Sequence, residues 1–330
     1  MLAASLDDIG DDLTWQPAAR EAWENLFRQA GRSSLEQSWA YGEAVAGQHN
    51  YTMERHIIAA PGVRAKRGPG TGSDTPLALV QAYRKNYWGI GVTRILRGPV
   101  WLIDPLDDPR GAAVCAAIAQ RYRGRRLDFL SWLPELPDEP RSEALLNALG
   151  FRRVVTGYAS IWLDLRQSPE ALMAAMNPKW RNALRRAQRK GMEAHTDRKE
   201  RQRQAALELY DTFRRKRRFV GTPGDFIAAI AAADPGAVLS LTAKQDGKLA
   251  AGVILARHGA SATYLASWSS ETGHTAQAHN LLLWRGIETL QEDGIQWLDL
   301  GGLNTESQRG LARFKLGLGG EVFSLTGSYL

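Results

Sequence analysis

One order of elements occurs twice in this chain, and it limits the possible folds more than any other feature. In the first half a helix candidate, "RGAAVCAAIAQRYRG" (110–124), leads into the strand candidate "RRLDFLSWLP". In the second half "AHNLLLWRGIETLQEDG" (278–294) leads into "IQWLDLGG". A short helix follows each strand, "SEALLNALG" and "SQRGLARFKLG", and each gives way to a further strand, "FRRVVTGYASIWLDL" and "EVFSLTGSYL". Asp128 and Asp299 fall at matching points of the two copies. Two copies of one α/β unit are the economical account, and 330 residues suit two medium domains. The boundary is expected near 150–165, where "LRQSPEA" marks a turn. The domains are therefore set at 1–155 and 156–330, with the C-terminal strand 320–330 a candidate to pack on the first.

Several classes are disfavoured at the outset. The longest apolar runs, such as "FIAAIAAA" (226–233), fall well short of the roughly 20 residues that span a bilayer. The N-terminus "MLAASLDDIGDDL" carries four Asp and no basic segment, unlike a secretory signal. Cys115 is the only cysteine, so no disulfide within the chain and no cysteine-based metal site can form. A cytoplasmic protein is the default expectation. His274 and His279 are five apart, not the four of a zinc helix, and no metal site is expected. The stretch "PGVRAKRGPGTGSDTP" (61–76) reads as a long hairpin loop between "MERHIIAA" and "PLALVQAYRKN". The next strand candidate is "TRILRGPVWLI".

Charge is concentrated. Residues 178–218 hold 15 Lys or Arg against five acids, an excess of +10 in a chain whose net charge is +7. Such a segment is an electrostatic footprint for a polyanion, or else a solvated helix face. Within it, "NPKWRNALRRAQRKGME" starts with Asn177 as N-cap and Pro178 at the first helical position, and Gly191 suits its end. Trp180, Ala183, Leu184 and Ala187 make one apolar face; Lys179, Arg181, Arg185, Arg186, Arg189 and Lys190 cover the rest with no acid among them. A helix built only for solubility would intersperse Glu for i, i+4 pairing. A second helix, 201–219, ends in five consecutive bases, Arg214, Arg215, Lys216, Arg217 and Arg218, more than dipole capping requires.

The glycine-rich stretch "LDLGGLNTESQRGLARFKLGLGG" (298–320) could be a phosphate cradle, a cap or a surface turn. Its glycines fit neither G-x-x-x-x-G-K-[ST] nor G-x-G-x-x-G, and no G-x-S-x-G elbow occurs. Kinase, dehydrogenase and serine hydrolase readings are therefore poor.

Taken in order, "LEQSWAYGEA" (35–44), "RGPVWL" (97–102), "PKWRNALRRAQRKGM", "LLLWRGIETLQEDGIQWLDLGGLN" and "RGLARFKLGLGG" resemble the Fem family. The resemblance covers most of the chain and is strongest at 178–192 and 297–320. It implies two tandem GNAT-like domains, an α/β (α+β) fold of mixed sheets flanked by helices. It also implies an enzyme that moves an aminoacyl group from charged tRNA to the amine of a cell-wall precursor peptide or a small molecule. No cofactor is implied beyond aminoacyl-tRNA as co-substrate. The acceptor would be phosphate-bearing in some members, with peripheral contact to a membrane-bound lipid precursor. The spacing between the basic helices and "VLSLTAKQDGKLAAG" leaves no room for the coiled-coil arm of longer members.

Lys315 in "RFKLG" matches the family's F-K, where the resemblance places a Lys near acceptor phosphate and the reacting ester; a solvated lysine is the plain alternative. Arg313 is a weaker version of the same idea. Lys179 and Arg181 fall on the family's basic helix start and would bind acceptor phosphate or the tRNA backbone. Arg185, Arg186, Arg189, Lys190 and the run 214–218 would contact tRNA phosphates without reading sequence. Asp299 is a candidate base, although its match to Asp128 favours a structural role. Gly301 and Gly302 would admit a substrate close to the backbone or turn the chain, with Asn304 beside them. Tyr264 and Trp268 fall where the family has aromatic residues beside the acceptor, and core packing is the alternative. The chain departs from the family where some members carry an acid after the first-domain strand. That spot reads Leu133-Pro134-Glu135, which makes Glu135 the substitute, and an activated ester needs little beyond positioning. The N-terminal helix has Glu43 and Ala46 where some relatives place a substrate-binding Lys.

Two rival functions remain. An acyl-CoA-dependent GNAT N-acyltransferase would keep the fold, but "SSETGHTAQAHN" and "PLDDPRGAA" lack the Q/R-x-x-G-x-G/A loop. A non-catalytic RNA-binding protein would use 178–218 alone, yet the chain has no RNA-recognition strand motif.

Overall fold

The computed structural model describes residues 13–62, 73–123, 128–197, 199–303 and 308–330. The chain divides into two compact units, one running to Tyr158 and including Ser324–Leu330, the other Ala159–Phe323. The split falls at 158/159, three residues beyond the expected boundary, and only the last seven residues of the C-terminal segment join the first unit.

The first unit begins with β1 (Thr14–Pro17), α1 (Arg20–Gln29), a 3-10 turn (Leu35–Gln37) and α2 (Trp39–His49). Then come β2 (Thr52–Ala60), β3 (Thr75–Tyr87), β4 (Ile90–Leu96) and β5 (Val100–Trp101). It continues through α3 (Arg110–Arg123), β6 (Asp128–Leu133), α4 (Pro140–Ala148) and β7 (Arg153–Val155). The second unit opens with β8 (Ala159–Asp164), α5 (Pro169–Ala175), α6 (Pro178–Arg189), β9 (Glu193–Thr196), α7 (Glu200–Lys216) and α8 (Gly224–Ala233). It goes on with β10 (Val238–Gln245), β11 (Lys248–His258), β12 (Ser261–Ser269), α9 (Glu271–Thr275) and α10 (Ala278–Glu292). It ends with β13 (Trp297–Asp299), α11 (Arg309–Leu316) and β14 (Glu321–Ser324), after which β15 (Ser328–Tyr329) joins the first unit's sheet. Among the described residues the longest helix is α7, at 17 residues, and no coiled-coil arm extends from either unit.

The duplication shows in the strand order. Among the described residues one sheet runs β1-β2-β3-β4-β6-β15-β7, with β5 pairing β3 off that path. The other, read from its far edge, runs β9-β10-β11-β12-β13-β8-β14. Position for position the two agree: four antiparallel strands, one parallel step (β4/β6 and β12/β13), then an antiparallel neighbour (β15 and β8). The segments expected as single last strands, "FRRVVTGYASIWLDL" and "EVFSLTGSYL", each break in two. The break falls at Thr156-Gly157 in one and Thr326-Gly327 in the other. A Cβ at Gly157 would collide with the Leu325 carbonyl, and Gly327 has φ +127, so glycine is required at both breaks. "TRILRGPVWLI" also divides, at Arg97 with φ 46.

Cores follow from periodicity. In β3, Leu79 faces Trp23 and Phe27, whereas Val80 and Ala82 face Val114 and Ile118 of α3, the alternation a strand imposes. Burial of the Cys115 thiol there pushes its pKa up to about 12, which makes it inert. The second core joins Leu241, Val253 and Leu255 of the sheet to Leu283 and Ile287 of α10 and to Trp180 and Leu184 of α6. Helix α6 starts as its sequence predicts: the Asn177 side chain accepts from Lys179 N at 2.9 Å, and Gly191 has φ +67 just past the end.

Asp128 and Asp299 are not structurally matched, contrary to the alignment of the two copies. Asp128 is the first residue of β6, beside Gly91, and its carboxylate meets Arg84 at 3.1 Å; Asp299 is the last residue of β13, beside Thr263. Asp128 faces the second residue of β4 after its hairpin turn and Asp299 the third residue of β12, a one-residue offset that puts the two on opposite faces and that a helix–strand–helix pattern does not encode.

Candidate active site

Strands β12 and β13 run parallel for only three residue pairs, Ser261 with Trp297 through Thr263 with Asp299. Beyond them β12 bulges. Leu255 of β11 opposes Tyr264 and Ile254 opposes Ala266, so Leu265 is the extra residue. Such a bulge bends a strand and re-aims its side chains, and here it falls where β13 has ended. The two strands part at Tyr264 and Leu300.

The gap is held open by groups the sequence supplies. Asp299, fully buried, accepts through Oδ1 from Gly301 N at 2.8 Å and from the Ser160 hydroxyl. Ser160 Oγ also lies 2.9 Å from Gly301 O. Gly301 has φ +72, and a Cβ there would stand 2.9 Å from Tyr264 O, so only glycine fits without strain. The carbonyls of Gly301 and Gly302 accept from Lys315 Nζ at 3.0 and 2.8 Å.

Lys315 reaches them because α11 buries one stripe, Ala312 and Lys315, one turn apart. Half-buried Phe314 leans on Trp180, with ring centroids 5.7 Å apart, which ties α11 to α6. The ammonium lies 5.7 Å from the Tyr264 ring centroid. Lys315 is 5% exposed, and burial lowers its pKa to about 8 against the opposing pull of Asp299. Burial also raises the Tyr264 phenol to about 12; its hydroxyl donates to Ser267 Oγ at 2.6 Å.

A cavity of about 440 Å³ opens at this point, lined by Lys315, Gly301, Gly302, Tyr264, Ser267 and His279, with Phe213, Phe219 and Leu311 among its apolar walls. A second, of about 340 Å³, lies at the start of α10 and shares Ser267, His279 and Leu311 with the first. His279 Nε2 is 3.0 Å from Trp268 O. A carbonyl can only accept, so Nε2 carries the hydrogen and Nδ1 the lone pair. Burial holds the imidazole pKa below its ordinary value, and the ring is neutral at pH 7.

The structure therefore brings together Lys315, Tyr264, Gly301 and Gly302, with Asp299 fixing the loop from behind. Arg313, two residues from Lys315, is on the exposed face of α11. Trp268 is buried and lines neither cavity; its backbone carbonyl orients His279. Asn304 lies outside the described residues. Lys179 is exposed in the first turn of α6, whereas Arg181 caps the preceding helix, with Nη1 2.9 Å from Ala174 O. Arg185, Arg186 and Arg189 are exposed; Lys190, also exposed, donates to Thr275 O at 3.2 Å. Arg214 pairs with Asp211 at 3.0 Å, while Arg215, Lys216, Arg217 and Arg218 are exposed. That basic run lies in sequence between Phe213 and Phe219, both cavity walls, and Arg215, Lys216, Arg217 and Arg218 are exposed without lining the cavity. Glu135 belongs to the first unit, where both carboxylate oxygens accept from buried Arg97, at 2.8 and 3.1 Å. Sequence reasoning missed Ser160, Ser267 and His279. The signal for His279 was its place in the first turn of a helix that follows a strand, not its spacing from His274.

Residues 178–322 match the family model of the acetyltransferase (GNAT) domain. The crystal structure of FemX superposes with TM-score 0.75 at 13% identity, covering 96% of both chains. A tandem GNAT protein from the clavulanic acid biosynthesis pathway gives 0.50 at 15%, covering 96% of each. The C-terminal domain assigned to a lysylphosphatidylglycerol synthetase from Agrobacterium fabrum gives 0.52 at 13%, covering 94% of this chain and 91% of that one. No curated protein matches the sequence. The second unit is thus an acyltransferase domain of GNAT type, and the whole chain has the tandem Fem-like architecture expected from its motifs.

Proposed function

We propose that this chain is an aminoacyltransferase that takes an amino acid from charged tRNA and joins it, through an amide, to the amine of a cell-wall precursor peptide or a small molecule. One observation carries this reading: buried Lys315 lines a cavity at the splayed strand ends, and two of that cavity's walls, Phe213 and Phe219, flank the exposed basic run Arg215, Lys216, Arg217 and Arg218 in sequence. A long run of exposed cations suits a donor with many backbone phosphates, as a tRNA has. Arg185, Arg186 and Arg189 add further exposed cations on α6. The synthetase domain among the fold relatives, by its name a maker of lysylated lipid, supports an aminoacyl group as the one transferred.

In the proposed reaction the acceptor amine attacks the ester carbonyl, a C–N bond forms, and the C–O bond to the tRNA ribose breaks. The amine loses a proton and the leaving ribose oxygen gains one. Lys315, protonated, stabilises the oxyanion that develops on the carbonyl or the phosphate of an acceptor. Tyr264, Gly301 and Gly302 shape the wall against which the ester lies. The reaction calls for no bound cofactor, and a lipid-linked acceptor would require contact with a membrane surface. No helix among the described residues is long and apolar enough to cross a membrane.

The second cavity, at the start of α10, keeps an acyl-CoA donor as the rival, because a helix N-terminus favours phosphate. The test is transfer of label from mixed charged tRNAs or from acyl-CoAs into candidate amines, with and without RNase. Consumption of charged tRNA that RNase abolishes is expected. Transfer that survives RNase, or that runs on acyl-CoA, overturns the tRNA reading. RNA binding with neither donor consumed leaves a non-catalytic RNA-binding protein.

A further inference from the structure

Strands β3 and β4 are joined by the two-residue turn Trp88-Gly89, both in the left-handed region, with φ 50 and 84. Hairpins favour this turn because its twist continues that of the strands, but its first position suits Asn, Asp or Gly. A Trp there is strained, and its side chain gains nothing in return from the fold: it is 103% exposed. It is not alone. Tyr87, Ile90 and Phe129 are 49%, 38% and 57% exposed. Register puts these three on one face, since Tyr87 opposes Ile90 and Phe129 flanks Val92 two residues further along β4. Large apolar side chains therefore gather at a protruding end of one sheet, where no core needs them.

We propose that this hairpin tip anchors the protein to an anionic membrane surface, with Trp88 and its neighbours entering the headgroup region. The patch is small. A stable protein interface takes about 800 Å² from each partner, more than these side chains expose, whereas insertion needs only a few. Trp and Tyr are the residues enriched where bilayer meets water, because their rings are apolar with one polar atom. The flanking charge has the matching sign. Lys85 and Arg94 lie in the hairpin, and residues 84–96 contain no acid. Arg84 is paired with Asp128 of β6 at 3.1 Å, and the Lys85 ammonium stands 4.3 Å from the Tyr51 ring centroid. The inference deepens the membrane contact that a lipid-linked acceptor would require, but it uses no residue of the candidate active site.

The test is sedimentation of the full chain with vesicles of phosphatidylcholine alone and of phosphatidylcholine with one third phosphatidylglycerol, at low salt and at high salt. Wild type is expected to bind the anionic vesicles, to bind the neutral ones more weakly, and to keep part of its binding at high salt. Trp88→Ser, with an unchanged melting curve, is expected to lower the partition coefficient at least about tenfold, given the area one indole buries. Three results overturn the proposal: wild type that stays in the supernatant; Trp88→Ser that binds like wild type, which would assign binding to the basic helices; or a wild-type oligomer that Trp88→Ser dissolves, which would make the tip a protein contact. The transfer assay on soluble acceptors is untouched by any of them, so the two readings fail separately.

Discussion

The parallel step is made twice in this molecule, and the two versions differ in one respect that decides where chemistry can occur. In the first unit β4 and β6 stay together for six residue pairs, Gly91 with Asp128 through Leu96 with Leu133. Pairing continues past them: Gly98 N donates to Leu133 O and Glu135 N to Gly98 O, each at 3.3 Å. The Trp132 indole closes the same corner on Gly98 O at 2.7 Å. In the second unit the pair ends after three residues, β12 bulges, and the freed carbonyls of Gly301 and Gly302 are met by a lysine instead of a strand. Both units solve the same problem, since a buried backbone carbonyl must find a donor. A strand as donor closes the sheet. A side chain as donor leaves room beside it.

The strongest way to break this contrast is to remove the lysine. Lys315→Ala is expected to lower the rate of transfer from charged tRNA by about 100-fold or more, the scale on which loss of one oxyanion donor acts. Glu135→Gln, in the closed unit, is expected to leave the rate per folded molecule within about twofold. Initial rates with labelled donor check both. If the two variants lose activity alike, the closed unit contributes a reacting group and the contrast is wrong.

The next effect is thermodynamic. Lys315 titrates at about 8 in the folded chain against an ordinary 10.5. Between those values the unfolded chain holds a proton that the folded one has lost, so stability rises with pH across that window. Below it both forms are protonated and the folded state carries the whole penalty of the buried ammonium. The expected gain of wild type over Lys315→Met, from pH 7.5 to 10.5, approaches about 3 kcal/mol by the proton-linkage slope. Urea unfolding of both proteins at the two pH values measures it. A pH-independent difference would mean that Lys315 is solvated.

Gly301→Ala sharpens the geometry. The new Cβ would meet Tyr264 O at 2.9 Å from a backbone at φ +72, and a loss of about 1–3 kcal/mol is expected. Gly89→Ala, at φ +84 but with open space around it, is expected to lose only the conformational part, about 1 kcal/mol. Equal losses would show that the Tyr264 contact is relaxed.

Much of this was legible before any coordinates. Asn177, Pro178 and the acid-free face of α6 are local signals, and so is the helix–strand–helix–strand repeat, because each needs only neighbours in sequence. The splay was not legible. Where a parallel pair ends depends on the partner strand, and a bulge at Leu265 is defined only against Leu255 and Ile254. The same limit explains the Asp128 and Asp299 misalignment, since their place along paired strands is non-local. It explains as well why "FRRVVTGYASIWLDL" divides between two sheets: Gly157 marks the break, but only the Leu325 carbonyl shows why. Arg181 had the composition of an anion ligand and proved to be a helix cap, because a guanidinium takes whichever acceptors packing brings within reach.

The smallest expected effect concerns His279, which lines both cavities of the open unit, one of them with Lys315. Burial is the largest cause lowering its pKa, and the nearby His274 adds to it, while the bond to Trp268 O opposes both. The folded state therefore resists a proton that the unfolded chain accepts as pH falls through the ordinary imidazole range. Stability should decline across the window just below pH 6.5, and His279→Gln, which can still donate to Trp268 O, should remove that part of the decline. His56 is the control in the closed unit. It too is buried with a lowered pKa, but burial there is reinforced by Arg121, whose Nη2 lies 3.0 Å from Nε2, and it lines no described cavity. Both substitutions should flatten the acid-side loss of stability measured by thermal unfolding between pH 5 and 7. Of the two, only His279→Gln should also change the pH profile of transfer, because His56 lines neither cavity. If His56→Gln changes that profile too, the imidazole effect is one of global stability, and the open strand pair is not where the proton-sensitive step lies.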